Sequence, residues 1–445
     1  MSFVLAALFA TGSVQAPEFE RFADALATEF TEREGVPGLQ VVVRRGGIEL
    51  LSLARGVADD ARGMTVTDDT RFVVGSVARL FESAAVLQLV DAGELQLDAD
   101  VVSLAAGLPK LAQPVRLVHV LGGTAGIAPW ARVFAAAGRE PRAGLARAEA
   151  LALFSTAPFD AAPGEAYAPN GAAWALLPLV LEGAWGTSFA RGAGPHLLTP
   201  LGLEHTALVD AEAPQTGLAR DCEAVAHAHD ADVLLALDPA WIAPTFTSTA
   251  RDVARFVDAL GAGRIVGEAS TARFFTSAKL ANGKETGHGI GFDLDRVAGH
   301  PRAFHSGGLG GSRARVAWYP DDGLAIVVLA NCASADVDGL EHELARHLLG
   351  LAPTRTLDVP VSTAEVRRFG GTYQLATVRV RVFERSQRLV WQDAEGEREL
   401  RWQGRGTFVD REHTDFVVRF DLEGDVAMSL ERTRGSSTER GSRLP

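Results

Sequence analysis

Lysine is nearly missing from this 445-residue chain: it occurs only at Lys110, Lys279 and Lys284, and the remainder of the 43 basic residues are arginines. Basic residues are also outnumbered by 56 acidic ones, for a formal charge of −13. That is the wrong sign for tracking a phosphate backbone and argues against a nucleic-acid partner. Cysteine is equally scarce. Cys222 and Cys332 are too few to define a disulfide framework, and sequence alone leaves their pairing open. No stretch reaches the ~18 uninterrupted apolar residues of a membrane-spanning helix, so no transmembrane segment is expected. There is no G-x-S-x-G nucleophile elbow, no phosphate-binding P-loop and no H-E-x-x-H zinc helix. His227 to Asp230, "HAHD", bring imidazoles and a carboxylate together without distant ligands and read as a surface loop. No metal and no cofactor are expected.

What is there is ordinary for a globular protein: 47% hydrophobic and 22% charged residues, with a length that suits two or three domains. Residues 1–16, "MSFVLAALFATGSVQA", carry an apolar run followed by small residues and resemble a secretory signal cleaved after Ala16. They imply export to the periplasm or beyond, although the segment has no Lys or Arg before its apolar run. A buried N-terminal helix or a misassigned start is the alternative.

"EFERFADALATEFTEREG" has helical periodicity, and "GLQVVVRRGGIELLSLARGVAD" alternates around Gly46-Gly47 as a hairpin does. Val77, Leu80, Phe81, Ala84, Leu87 and Val90 then recur at helical spacing, which predicts a buried helix from Ser76 to a cap near Gly93. Residues from about 104 to 265 are rich in Ala and Leu at helical spacing and predict a mostly helical subdomain. Strand character returns with "GHGIGFDLDRV" and with "SRARVAWYPDDGLAIVVLAN", where Pro320 to Gly323 separate two strands. The expectation is an α/β (α+β) domain over residues 17–354, with one antiparallel sheet built from both ends of it and flanked by helices. From 355 to 432 short alternating segments such as "VRVRVF" and "RLVWQ" predict a small β-barrel, and 433–445, "RGSSTERGSRLP" within it, reads as a disordered tail.

A serine that opens a helix is usually just its cap. It suits nucleophilic catalysis when a proton-handling residue projects from the same face three positions on, because the helix dipole favours a negative oxygen and backbone N–H groups can hold an oxyanion. "FVVGSVARLFESAAVLQLV" offers Ser76 and, three positions on, Arg79. Four further segments follow in order: "PGEAYAPNGAAWALLPLVLEGAWGTSF", "LLTPLGLEHT", "TSTARDVARF" and "FHSGGLGGSRARVAWYPDDGLAIVVLAN". Together they resemble the serine β-lactamase and penicillin-binding-protein family in its AmpC-type and D-aminopeptidase-like branch, over residues 18 to 350. The resemblance implies a β-lactamase/transpeptidase-like fold, a C-terminal lipocalin-like β domain, and an acyl-enzyme mechanism on peptide, ester or β-lactam carbonyls. It implies Ser76 as nucleophile, His305-Ser306-Gly307 as the third motif, and the N–H groups of Ser76 and Gly308 as the oxyanion hole.

The proton machinery departs from that pattern. The family's S-x-x-K lysine is Arg79, whose guanidinium keeps its proton and cannot serve as a general base, though it can hold an anion. Pro169-Asn170-Gly171 stand where the Tyr-x-Asn motif is expected; a one-residue slip restores Asn170 and leaves Ala168 opposite the Tyr, with Tyr167 one residue upstream. "VLGGTAGI" has Gly123 and Ala125 where the family has His and Ser, and His288 occupies a position where the family often has Tyr.

Three readings stay open. The chain is a degenerate homologue that binds a small-molecule or peptide ligand in its cleft through Tyr167, Asn170, Ser306, Gly307 and Gly308, with Arg79 standing at the catalytic position beside Ser76. Or it is an esterase or peptidase with Ser76 as nucleophile and His305, whose imidazole ordinarily titrates near ~6.5, as a non-standard base. Or Tyr167 supports ordinary family catalysis.

Overall fold

The computed structural model describes residues 12–32, 34–105, 107–139, 147–209, 217–220 and 246–445. Most of the expected leader, Cys222 and the His227 to Asp230 segment lie outside the described residues. A helix runs over Gly12–Glu32, across the expected cleavage point at Ala16, with Pro17 inside it. No described helix is long and apolar enough to cross a membrane. Contacts divide the chain into two compact units: Val36–Glu341, and the chain up to Gly35 together with His342–Pro445.

In the first unit the strands are β1 (Gly38–Arg45), β2 (Ile48–Asp59), β3 (Met64–Thr65), β4 (Phe72–Val73), β5 (Ala207–Leu208), β6 (Phe246–Ser248), β7 (Asp293–Val297), β8 (His300–Leu309), β9 (Ser312–Tyr319) and β10 (Leu324–Ala330). Seven of them form one antiparallel sheet in the order β3-β2-β1-β10-β9-β8-β7. The two ends of the domain sequence therefore meet at its centre, where Leu39 pairs with Ala330 and Val43 with Ile326. All seven residues of β10, "LAIVVLA", are buried, which is why it reads as a continuous apolar run and not an alternating one. The β1–β2 hairpin turns at Gly46 and Gly47, both in the left-handed region at φ 57° and 89°, as a two-residue turn with two positive φ angles requires.

The helix after Ser76 runs over Ala78–Asp91, with Ser76 itself in the preceding 3-10 turn Gly75–Val77. Leu80, Phe81, Ala84 and Leu87 are fully buried, and the Phe81 ring meets Phe246 and Phe256 edge-on. Between 104 and 265 the described residues are mainly helical, including Leu176–Trp185 and Ala250–Gly261. Two short strands there, β5 and β6, were not expected; with β4 they make a second, three-stranded sheet in the order β4-β6-β5.

The second unit holds a closed barrel of eight strands, β11–β18, between Gly371 and Arg443. The expected short segments are its strands from Arg379 to Arg434. The reading of 433–445 as a disordered tail is wrong: Ser437–Arg443 is the last strand, paired with Val426–Arg434 and with Gly371–Leu375. Its sequence, "STERGSR", has only Gly441 buried, so no apolar alternation announces it. It is recruited by the backbone groups that barrel closure must satisfy.

Candidate active site

Glycines set the geometry around Ser76. A Cβ on Gly75 would lie 2.6 Å from the Gly308 nitrogen, and one on Gly307 would lie 2.3 Å from the Val74 oxygen and 3.2 Å from the Ser76 nitrogen. The turn carrying Ser76 is thus pressed against β8 at Gly307 and Gly308. Gly75 also needs its positive φ of 51°. Among the described residues Ser76 Oγ has no hydrogen-bond partner.

Arg79 lies one turn along the helix. Its guanidinium sits over the ring of Trp174, 5.1 Å from the centroid, a contact worth ~0.5–2 kcal/mol. Burial pushes its pKa down to about 10, while Glu82 and Tyr167 pull it upward, so it stays charged at neutral pH. Glu82, 3% exposed, is pushed up to about 8 by burial against the pull of Arg79. Glu82 and Arg79 are thus a buried, mutually coupled pair, with each holding the other toward its charged form against burial. Among the described residues no side chain accepts a hydrogen bond from Arg79 and no carboxylate forms a close ion pair with it.

His305, on β8 opposite Val316, has its Nε2 buried without a partner while its ring donates to the Gly291 backbone. Burial and then the Arg79 charge push its pKa down to about 4, with Asp293 pulling the other way. The imidazole is therefore neutral and holds a free lone pair, which a base needs, but its basicity lies far below the optimum for taking a proton near neutral pH.

Tyr167 stacks on His288, ring centroids 3.8 Å apart and planes within 8°. The Nδ1 of His288 is hydrogen-bonded to Asp293 Oδ1. Burial, then Asp293, raises the Tyr167 hydroxyl above its usual range, so it stays protonated and is no phenolate base. Its ring also accounts for Gly123: a Cβ there would lie 2.9 Å from Tyr167 Cε2, so the tyrosine fills space that a side chain at 123 would take.

Two expected ligand contacts are spent elsewhere. Asn170 caps the helix Gly171–Trp174: its Oδ1 accepts from the N–H groups of Ala172 and Ala173, and its Nδ2 donates to the carbonyls of Ile127 and Ala168. All four hydrogen-bonding positions of the amide are filled. Ser306 points to the other face of β8 from His305 and Gly307, as strand alternation dictates; its Oγ accepts from Arg315 and donates to Asp338 Oδ1 at 3.1 Å. The site therefore gathers Ser76, Arg79, Tyr167, His305, Gly307 and Gly308, and not the side chains of Asn170 or Ser306. Sequence reading missed Trp174, Glu82 and Asp293. Only Glu82 carried a signal, as the next residue on the Ser76–Arg79 face of the helix. Among the described residues no group of three His, Cys, Asp or Glu side chains could hold a metal ion.

Comparison with known proteins bears on this arrangement. The Beta-lactamase family model matches residues 23–351. The chain is 30% identical over 393 residues to "Penicillin-binding protein 4" of Amycolatopsis lactamdurans, covering 80% of this chain and 96% of that one. It is 30% identical over 214 residues to "Esterase EstB" of Burkholderia gladioli, covering 45% of this chain and 54% of the other. A solved structure, the octameric penicillin-binding protein homologue from Pyrococcus abyssi, superposes with a TM-score of 0.63 at 18% identity, covering 94% of this chain and 99% of that one, which shows a shared fold.

Proposed function

Because this chain belongs to the beta-lactamase family of serine hydrolases, we propose that it is a member that keeps the family's cleft as a binding site while acylation of Ser76 is largely silenced. The ligand is peptide- or ester-like and carries a carboxylate, which Arg79 receives while the amides of Ser76 and Gly308 hold a carbonyl oxygen. The observation that carries this reading is Arg79 itself. Where the family's resemblance implies an amine that relays the serine proton, this site has a guanidinium that remains charged at neutral pH and forms no close ion pair with a carboxylate among the described residues, Glu82 acting on it from the same helix.

A thermal-shift titration tests it, using N-acetylated dipeptides as free acids and as C-terminal amides. The free acid is expected to stabilise the wild type and the amide to have little effect, with the difference lost in Arg79→Gln. Equal shifts from acid and amide would sink the carboxylate role.

A second reading rests on the unpartnered Nε2 of His305. An anionic ligand that neutralises Arg79 removes one of the charges holding the imidazole pKa down and makes it a better base, which would give slow, substrate-assisted esterase or peptidase turnover. Export remains part of the proposal, on the apolar run and small residues at positions 1–16.

A further inference from the structure

A second cavity, of about 510 Å³, lies within the first unit and contains none of Ser76, Arg79, Tyr167, Trp174 or His305. Its walls come from Arg116, His119 and the loop after the short helix Leu117–Leu121, from Pro163-Gly164, and from the end of the helix Glu268–Phe275 with residues 276–281. The charge of these walls runs against that of the protein. In a chain of formal charge −13, the cavity is lined by Arg116, Arg273 and Lys279 with Asp98 as the only carboxylate. Lys279 is moreover one of only three lysines.

The side chains of Arg273 and Lys279 are exposed and pair with no carboxylate among the described residues. Asp98 answers Arg116 alone, at 2.8 Å, and with 80% of its side chain exposed that pair leaves most of the local positive charge unneutralised.

His119 shows where an anion would sit. Both of its ring nitrogens face donors from Arg116: the backbone N–H lies 3.3 Å from Nδ1, and Nη2 lies 3.1 Å from Nε2. A neutral imidazole accepts at only one nitrogen. Burial, with the charge of Arg116, lowers the pKa of this 8%-exposed ring and keeps it neutral. The ring therefore cannot satisfy both donors, and one of them is left for a ligand oxygen from the cavity. Gly164 leaves the adjacent space open: a Cβ there would lie 3.5 Å from Nε2.

We infer that this cavity binds a small organic polyanion with phosphate- or carboxylate-type oxygens. One oxygen is met at the Arg116–His119 pair, and the remaining charge is met by Arg273 and Lys279. The volume is within the ~300–1,000 Å³ range of small-molecule sites and exceeds what a single inorganic ion fills.

Isothermal titration calorimetry of the full chain at pH 7.5 with pyrophosphate and, separately, tricarballylate tests this. Saturable binding of at least one probe at a single site is expected, and comparison of the two arms identifies which anion the site takes. The double variant Arg273→Ala/Lys279→Ala should weaken it by about tenfold or more, as expected for loss of two charge-assisted contacts. Both side chains are exposed, and an unchanged thermal unfolding profile will show that the variant is folded. Arg296→Ala, a surface cation outside the cavity, and Ser76→Ala, in the cleft, should both leave binding intact. Binding lost in Ser76→Ala or Arg79→Gln would place the anion in the cleft and overturn the assignment. So would the absence of saturable binding by either probe, or binding indifferent to Arg273→Ala/Lys279→Ala.

Discussion

Arg79 and Trp174 form a stacked pair, the guanidinium 5.1 Å from the centre of the indole. The pair joins the helix that follows Ser76 to the helix that Asn170 caps, and it holds a fixed positive charge where a proton relay would otherwise stand. The chemistry of the cleft follows from that charge, because it makes the site attractive to anions and at the same time makes His305 a weaker base.

The His305 imidazole should titrate at about 4 in the folded protein, against ~6.5 when unfolded. Its folded pKa is depressed, so the associated stability is complete above ~6.5 and is lost as pH falls toward 4. His305→Gln should flatten that part of the stability–pH curve relative to wild type. His347, held down to about 3, contributes in the same direction to both proteins and cancels in the comparison. A His305 resonance that titrates near 6.5 by NMR would contradict the buried, Arg79-facing environment.

Gly307→Ala should cost ~1–3 kcal/mol in urea unfolding, since its Cβ would lie 2.3 Å from the Val74 oxygen and 3.2 Å from the Ser76 nitrogen, both main-chain atoms. The same change should separate the two amides and remove any Ser76 labelling that an Arg79→Lys background shows. A variant as stable as wild type would mean that the turn and β8 are not in contact.

Asn170→Ala should cost ~1 kcal/mol as a lost helix cap. It should leave the labelling rate of Ser76 in the Arg79→Lys background unchanged, because the amide is already saturated by main-chain partners. A large fall in labelling without a loss of stability would return Asn170 to the ligand.

Ending the chain before Ser437 removes the last strand and leaves Gly371–Leu375 and Val426–Arg434 each without a neighbour. The truncated protein should lose the cooperative unfolding of its barrel unit and gain a tendency to associate through the open edges. Retention of the full-length unfolding transition would show that closure is dispensable.

The residues show where sequence reading works and where it stops. β10 was legible because its apolar run is dictated by burial of the whole strand, and β1 because its segment alternates into the Gly46-Gly47 turn, which only a left-handed pair of residues closes. Ser437–Arg443 was not, because its hydrogen bonds come from barrel closure and its side chains face water. In the cleft, Ser76, Arg79 and His305 were legible from their motifs. That the Asn170 amide and the Ser306 hydroxyl bond to other protein groups was not legible, because a motif records residue type and position, not where the hydrogen bonds of the side chain go. Trp174 and Asp293 reach the site through packing between segments far apart in sequence, which no local pattern encodes.

The most direct test of the central claim is intact-protein mass spectrometry after incubation with a fluorophosphonate and, separately, a penicillin, on wild type, Arg79→Lys, and Arg79→Lys combined with Ser76→Ala. The account predicts no adduct on wild type, an adduct on Arg79→Lys, and its loss in the double variant, because a lysine at that buried position can give up the proton that arginine retains. An adduct on wild type that disappears in Ser76→Ala would contradict it and would make Ser76 a working nucleophile despite Arg79.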